Sequence, residues 1–135
     1  MILKLERQDA NFLEDEARKR FPVEACAMLF GATTRREAVV KKVVVASNKL
    51  QSNIRFEIDP EVFACAFFEA EREGLDLIGL YHSHPAPATP SSVDLECMKL
   101  WPGLIWLIFS SADGKLAGYQ MKNGKVVEIT TKVEP

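Results

Sequence analysis

The run Leu77-Ile78-Gly79-Leu80-Tyr81-His82-Ser83-His84-Pro85, followed at short range by Ser91 and Asp94, decides how this chain is read. Its first five residues are apolar or small and predict a buried strand, along which side chains alternate faces. His82 and His84, the only two histidines among 135 residues, then share a face, so both imidazoles can converge on one point. An oxygen from Asp94 would complete a His₂-carboxylate set and leave a fourth tetrahedral position for water. That is the pattern of a catalytic zinc site, whereas a structural site is closed by four protein ligands.

A plainer reading competes with it. A His-x-His pair by itself is commonly incidental. Ser91-x-x-Asp94 also reads as a helix start, where Ser accepts a backbone N–H and Asp favours the positive helix end. The two readings coexist, because a helix start is a rigid mount for a ligand. His-x-His-Pro, a Pro-rich loop and Ser-x-x-Asp together point to a metal.

This constellation resembles the signature of the JAMM (MPN+) zinc metalloprotease family, His-x-His-Pro, a short loop, then Ser-x-x-Asp. The resemblance implies His82, His84 and Asp94 as zinc ligands, one zinc per chain, with Ser91 steadying the reacting carbonyl. The family usually places seven residues in the loop; here Pro85 to Pro90 supplies six. Taking Ser92 as the serine would put Leu95 at the ligand position, and leucine has no donor atom. Ser91 and Asp94 therefore keep the assignment. Prolines at 85, 87 and 90 stiffen the loop, since each fixes φ.

A zinc peptidase also needs a base to take a proton from the attacking water. The family carries a Glu in a segment similar to Pro22-Val23-Glu24-Ala25-Cys26-Ala27-Met28-Leu29-Phe30-Gly31, with Ala27 standing where glycine is usual. Glu24 interrupts a run otherwise apolar from Val23 to Phe30, where an unpaired carboxylate is costly. Its plain alternative is a carboxylate in water at the mouth of a strand. A third likeness to prokaryotic members lies at Asn48 and at Arg55-Phe56-Glu57-Ile58-Asp59-Pro60. The resemblance runs from about residue 8 to 121.

Composition agrees. A chain of 135 residues, 47% of them hydrophobic, suffices for one domain spanning residues 1–135 around a single core. Its net charge of −2 is spread over mixed charges, so no nucleic-acid surface is expected. No apolar run approaches the roughly 20 residues that span a bilayer. Met1-Ile2-Leu3-Lys4-Leu5-Glu6-Arg7 lacks the long apolar segment of a signal peptide, so no membrane partner and a cytoplasmic location are expected.

Three cysteines, an odd count, do not make a disulfide framework. Cys65 falls in an apolar helix and is expected in the core. Cys26 would share a face with Glu24 if both lie on one strand, and Cys97 follows Asp94 on the next helix. Each is more often a small buried hydrophobe than a ligand. A pairing of Cys26 or Cys65 with Cys97 stays open. A cysteine protease would need a partner histidine, and both histidines are better explained by metal.

The remaining elements follow from pattern. Ile2 to Leu5 alternates like a short strand. Asp9 can cap a helix with Leu13, Ala17 and Phe21 at four-residue spacing, ended by Pro22. A strand carries Glu24, Thr33 to Arg36 turns the chain, and a second strand runs through Val39 to Val45. Ser47 to Asn53 is a polar loop and Phe56 to Ile58 a third short strand. Pro60 starts a helix with Phe63, Phe67 and Ala70 on one face, ending near Gly74. After the histidine strand a helix spans Ser91 to Trp101. Leu104 to Phe109 is a further strand, and the Asp113-Gly114 and Asn123-Gly124 turns make hairpins of the rest. The expected fold is α/β, a mixed β-sheet flanked by helices. The resemblance implies the JAMM/MPN architecture, which is similar to that of cytidine deaminases.

The resemblance implies a zinc peptidase or isopeptidase cutting after the C-terminal Gly-Gly of ubiquitin-like or sulfur-carrier proteins. Release of a cysteine or short extension from a sulfur carrier is the nearest alternative. The thin tail could add as a strand to a sheet edge. The chain is too short for the long insertions of the family's eukaryotic deubiquitinases, which favours a compact prokaryotic enzyme. A non-catalytic MPN-type scaffold would lack the ligand set. A zinc deaminase would need His-x-Glu and Pro-Cys-x-x-Cys, and neither occurs.

Overall fold

The runs 26–30 and 105–109 are apolar throughout and buried at every position, and this gives the sheet two buried faces. The computed structural model describes residues 1–48 and 58–135. The strands are β1 (Ile2–Glu6), β2 (Cys26–Thr33), β3 (Glu37–Ala46), β4 (Asp76–His84), β5 (Ile105–Ser110), β6 (Leu116–Lys122) and β7 (Lys125–Glu134). The helices are α1 (Arg7–Arg20), α2 (Pro60–Arg72) and α3 (Ser92–Leu100).

The strands pair in the order β1-β3-β2-β4-β5-β6-β7, and β1 closes the sheet by running parallel to β7, Ile2 beside Thr130 and Glu6 beside Glu134. The sheet is mixed, as expected, with parallel pairs also at β1–β3 and β4–β5. Closure gives each strand two neighbours, so the open edge on which a tail was expected to add is largely absent. Among the described residues an unpaired stretch remains on β3, where the β1 register covers only Glu37 to Val39.

On one face, Leu3, Leu5, Ala27, Leu29, Tyr81, Ile105, Leu107 and Phe109 pack with Leu13 and Ala17 of α1. The Tyr81 hydroxyl donates to the Leu13 carbonyl at 2.8 Å, which ties α1 to β4. On the other face α2 covers Cys26, Met28 and Phe30 through Ala66 and Ala70. Met98 of α3 packs there with Trp106, Ile108, Tyr119 and Met121. His82 and His84 lie on this second face, between the two helices' footprints.

Helix ends show where local signals held. Pro60 opens α2 and Asp59 accepts the Glu61 N–H at 2.8 Å, and Asn123 and Gly124 take positive φ in the β6–β7 turn. Asp9 does not cap α1. The helix starts three residues earlier than such a cap implies, with Glu6 as its N-cap and no side-chain cap, and Asp9 sits in the first turn. Phe21 falls outside the helix and is exposed. Ile58 forms an isolated bridge with Asn48; the rest of the expected third strand, Phe56 and Glu57, and most of the loop before it lie outside the described residues. Among the described residues no helix is long and apolar enough to cross a membrane.

Candidate metal centre

Alternation on β4 puts the two imidazoles side by side, with His82 Nε2 and His84 Nε2 3.0 Å apart. Asp94 reaches them from the first turn of α3: its Oδ2 lies 3.1 Å from His82 Nε2 and 3.3 Å from His84 Nε2. Ser91 is the N-cap of that helix and makes a capping box with Asp94. Its Oγ accepts the Asp94 N–H at 3.1 Å, and its own N–H donates to Asp94 Oδ2 at 2.9 Å. Helix capping and placement of Asp94 are thus one arrangement. The six-residue loop reaches this geometry with the Tyr119 hydroxyl donating to the Ala88 carbonyl at 2.8 Å.

The three atoms form a nearly equilateral triangle. Around a tetrahedral zinc with N and O ligands at roughly 2.0–2.1 Å, neighbouring ligand atoms stand ~3.3 Å apart. The observed edges of 3.0, 3.1 and 3.3 Å match that spacing. Three lone-pair-bearing atoms aimed at one small volume repel one another unless a cation or shared protons sit among them. The donor set, two imidazoles and a carboxylate, is one that zinc takes.

Glu24 stands beside this triangle. It was expected on a strand, but β2 begins at Cys26, so Glu24 lies in the segment just before it. Its Oε1 is 4.0 Å from His82 Nε2 and 3.9 Å from His84 Nε2. Glu24, His82 and His84 each offer a ligand atom within 4.8 Å of the others, so Glu24 is close enough to compete with Asp94 for the metal. The shorter distances belong to Asp94. Glu24 is 1% exposed and neither carboxylate oxygen has a hydrogen-bond partner among the described residues. The plain alternative, a carboxylate in water at a strand mouth, does not hold, because Glu24 is buried.

Electrostatics separate the two carboxylates. Burial pushes Glu24 up to about 7; His84 opposes this and Asp94 adds to it. Burial acts in the same direction on Asp94, but hydrogen bonds from His82, His84 and the Ser91 backbone outweigh it and hold Asp94 well below the usual carboxylate range. Burial lowers His82 against the pull of Asp94. At His84 burial also opposes the charge, but Asp94 and Glu24 together raise it. One acid is held ionised and its neighbour titrates near neutrality.

Two neighbours had no sequence signal. Trp106 of β5 meets His82 edge to face, ring centres 5.8 Å apart. An apolar cavity of about 220 Å³ opens next to Asp94, lined among others by Phe63, Leu80, Val93, Cys97, Trp101 and Trp106. The cysteines were partly misplaced. Cys26 is buried and donates to the Ala46 carbonyl at 3.3 Å, but Cys65 and Cys97 are exposed. Cys65 lies off the Phe63-Ala66-Phe67-Ala70 stripe that α2 presents to the sheet. None of the three is disulfide-bonded.

Residues 11–122 match the family described as prokaryotic homologs of the JAB domain. The chain belongs to this family. Within it, a curated Desampylase of Pyrococcus furiosus is 42% identical over 113 residues, 83% of this chain and 77% of that protein. A Desampylase of Haloferax volcanii is 32% identical over 114 residues, 84% of this chain and 80% of that protein. The solution structure of a protein from Desulfitobacterium hafniense is similar with a TM-score of 0.86 at 28% identity, covering 98% of this chain and 92% of the other. A Salinibacter ruber protein structure gives 0.72 at 28% identity, covering 98% and 91%. The JAB-family placement agrees with the compact prokaryotic JAMM/MPN type expected from the histidine motif.

Proposed function

We propose that this JAB-family chain is a zinc-dependent isopeptidase acting as one domain over residues 1–135. It would remove ubiquitin-like or sulfur-carrier proteins from their conjugates by cutting after the Gly-Gly tail, in the cytoplasm. The observation that carries the reading is the convergence of His82, His84 and Asp94 beside a buried Glu24 that has no hydrogen-bond partner among the described residues. The Desampylase names of two relatives support the choice of a protein modifier as substrate.

His82, His84 and Asp94 would hold the metal. Zinc bound there would supply Lewis acidity, polarising the scissile carbonyl and lowering the pKa of water toward about 7. Glu24 takes the proton of the attacking water and later passes it to the leaving amine. Its carboxyl, raised to about 7, suits both directions of transfer near neutral pH. The Ser91 hydroxyl accepts the Asp94 N–H and keeps its own proton to donate where negative charge develops on the carbonyl oxygen. His84, Asp94 and the helix start hold these groups on rigid elements, so little reorganisation is needed. No covalent intermediate on the protein is required.

The test is a substrate panel for the purified protein: isopeptide conjugates of a Gly-Gly-ended carrier, linear extensions of the same carrier, and free small amides. Chelator-sensitive cleavage after the second glycine of the conjugates is expected. Faster release of a single cysteine or short extension would move the assignment to carrier maturation. No cleavage of any of them by zinc-loaded protein would remove it.

A further inference from the structure

We propose that Ser83, the residue between the two histidines, is a positioning residue that sets where Glu24 stands. The inference rests on Glu24 being the base. Alternation turns Ser83 away from the face that carries His82 and His84, so its hydroxyl does not touch the reacting atoms. It turns instead to the neighbouring chain segment. The β2–β4 register brings Cys26 opposite His82, and one residue further Ala25 meets Ser83. The Ser83 N–H donates to the Ala25 carbonyl at 3.1 Å. The Ala25 N–H does not complete the pair on a backbone carbonyl; it donates to the Ser83 Oγ at 2.9 Å.

That second bond matters because the Ala25 N–H belongs to the peptide group joining Glu24 to Ala25. Fixing this plane fixes the backbone torsion from which the Glu24 side chain departs. At its far end Glu24 has no hydrogen-bond partner among the described residues, so its direction is set from the backbone end. Ala25 and Ser83 are 1% and 3% exposed, which leaves no water to replace a lost acceptor. The Glu24 segment also lies beyond the last ladder pair of β2, so the hydroxyl serves where regular pairing has stopped. One residue thereby links the ligand strand to the base, and a small displacement of a base is costly to rate.

The experiment compares Ser83→Ala, Ser83→Thr and Ser83→Cys in the full chain, alone and with Glu24→Gln. Zinc content and the visible spectrum of the cobalt-loaded protein should be unchanged in all, because the ligands face the other way. In Ser83→Ala the Ala25 amide should exchange faster, kcat should fall about 10- to 100-fold, and KM should change by less than about 2-fold. Threonine, which keeps the acceptor, should restore the rate, and cysteine, a weak acceptor, should fall between. In the Glu24→Gln background the Ser83 changes should have no further effect. If Ser83→Ala fails to fold, Ser83→Cys carries the same comparisons. An unchanged kcat, a loss of zinc, or a loss that multiplies with that of Glu24→Gln overturns the proposal. A near-normal rate in Glu24→Gln alone would instead overturn the reading of Glu24 as base.

Discussion

The oxygen of Asp94 that closes its own helix cap is the one that stands 3.1 Å from Nε2 of His82. One atom therefore accepts the Ser91 N–H and faces both imidazoles. A ligand already fixed by a backbone hydrogen bond needs little ordering when a cation arrives, and its charge is stabilised before the metal is present. Glu24, 3.9 Å from His84, has no such hydrogen bond among the described residues. The two acids thus differ in their support, as the proposed roles of ligand for Asp94 and base for Glu24 require.

Glu24→Gln separates those tasks. It keeps the size of the side chain and removes the basic carboxylate. Metal content should stay at the wild-type level while turnover falls by at least about 10²-fold, the lower end for a positioned general base. Asp94→Asn should weaken metal binding itself, since a neutral amide is a poor ligand for a dication. Metal titration alongside steady-state kinetics reads both, and a Glu24→Gln protein that loses metal as Asp94→Asn does would make Glu24 a ligand.

Stability of the metal-free protein should depend on pH through the same residue. The folded carboxyl titrates near 7 and an unperturbed one near 4.5. Between those values the folded state holds a proton the unfolded state has released, so stability is full below about pH 4.5 and is lost as pH rises through 7. A difference of that size corresponds to about 3 kcal/mol. His82 is lowered and His84 raised from the ordinary histidine value, so the comparison that isolates Glu24 is wild type against Glu24→Gln at each pH. Denaturant unfolding should show the variant gaining on wild type from pH 4.5 to 8; a constant difference would contradict this.

Thiol chemistry should be silent at the reacting centre. Burial pushes Cys26 up to about 12, which keeps it protonated and inert, while Cys65 and Cys97 are exposed. Alkylation should modify those two and leave kcat unchanged, with any effect at Cys97 confined to KM because that residue lines the cavity beside Asp94. A chelator should abolish turnover. Loss of kcat on alkylation with metal still bound would point to a thiol mechanism.

Tyr81→Phe tests how α1 is held. Removing the hydroxyl takes away its hydrogen bond to the Leu13 carbonyl, which as a helix-interior carbonyl keeps the Ala17 N–H, a loss of about 0.5–1.5 kcal/mol. Urea unfolding should show it with metal content unchanged, since Tyr81 faces away from the histidines. An unaltered midpoint would mean that this bond does not hold the helix.

What was legible in the sequence was whatever local periodicity encodes. The two-residue spacing of His82 and His84 fixed their common face once the strand was recognised, and Ser91-x-x-Asp94 encoded both the cap and the carboxylate it presents. Pro60 and Asn123-Gly124 marked a helix start and a hairpin by backbone chemistry alone. Closure of the sheet was not legible, because Ile2–Glu6 meets Thr130–Glu134 across nearly the whole chain and no local pattern carries that pairing. The Ser83–Ala25 bonds were missed for the same reason: they join segments distant in sequence through a hydroxyl that periodicity treats as filler. Cys65 was misread because an apolar helix has a solvent side as well as a packed one.

The most direct measurement is elemental analysis of the purified protein and its His82→Ala and His84→Ala variants, each checked for native fold by circular dichroism. The account predicts about one zinc per wild-type chain and its loss in either variant. A folded wild-type protein holding no transition metal, or variants that keep a full zinc equivalent, would contradict it.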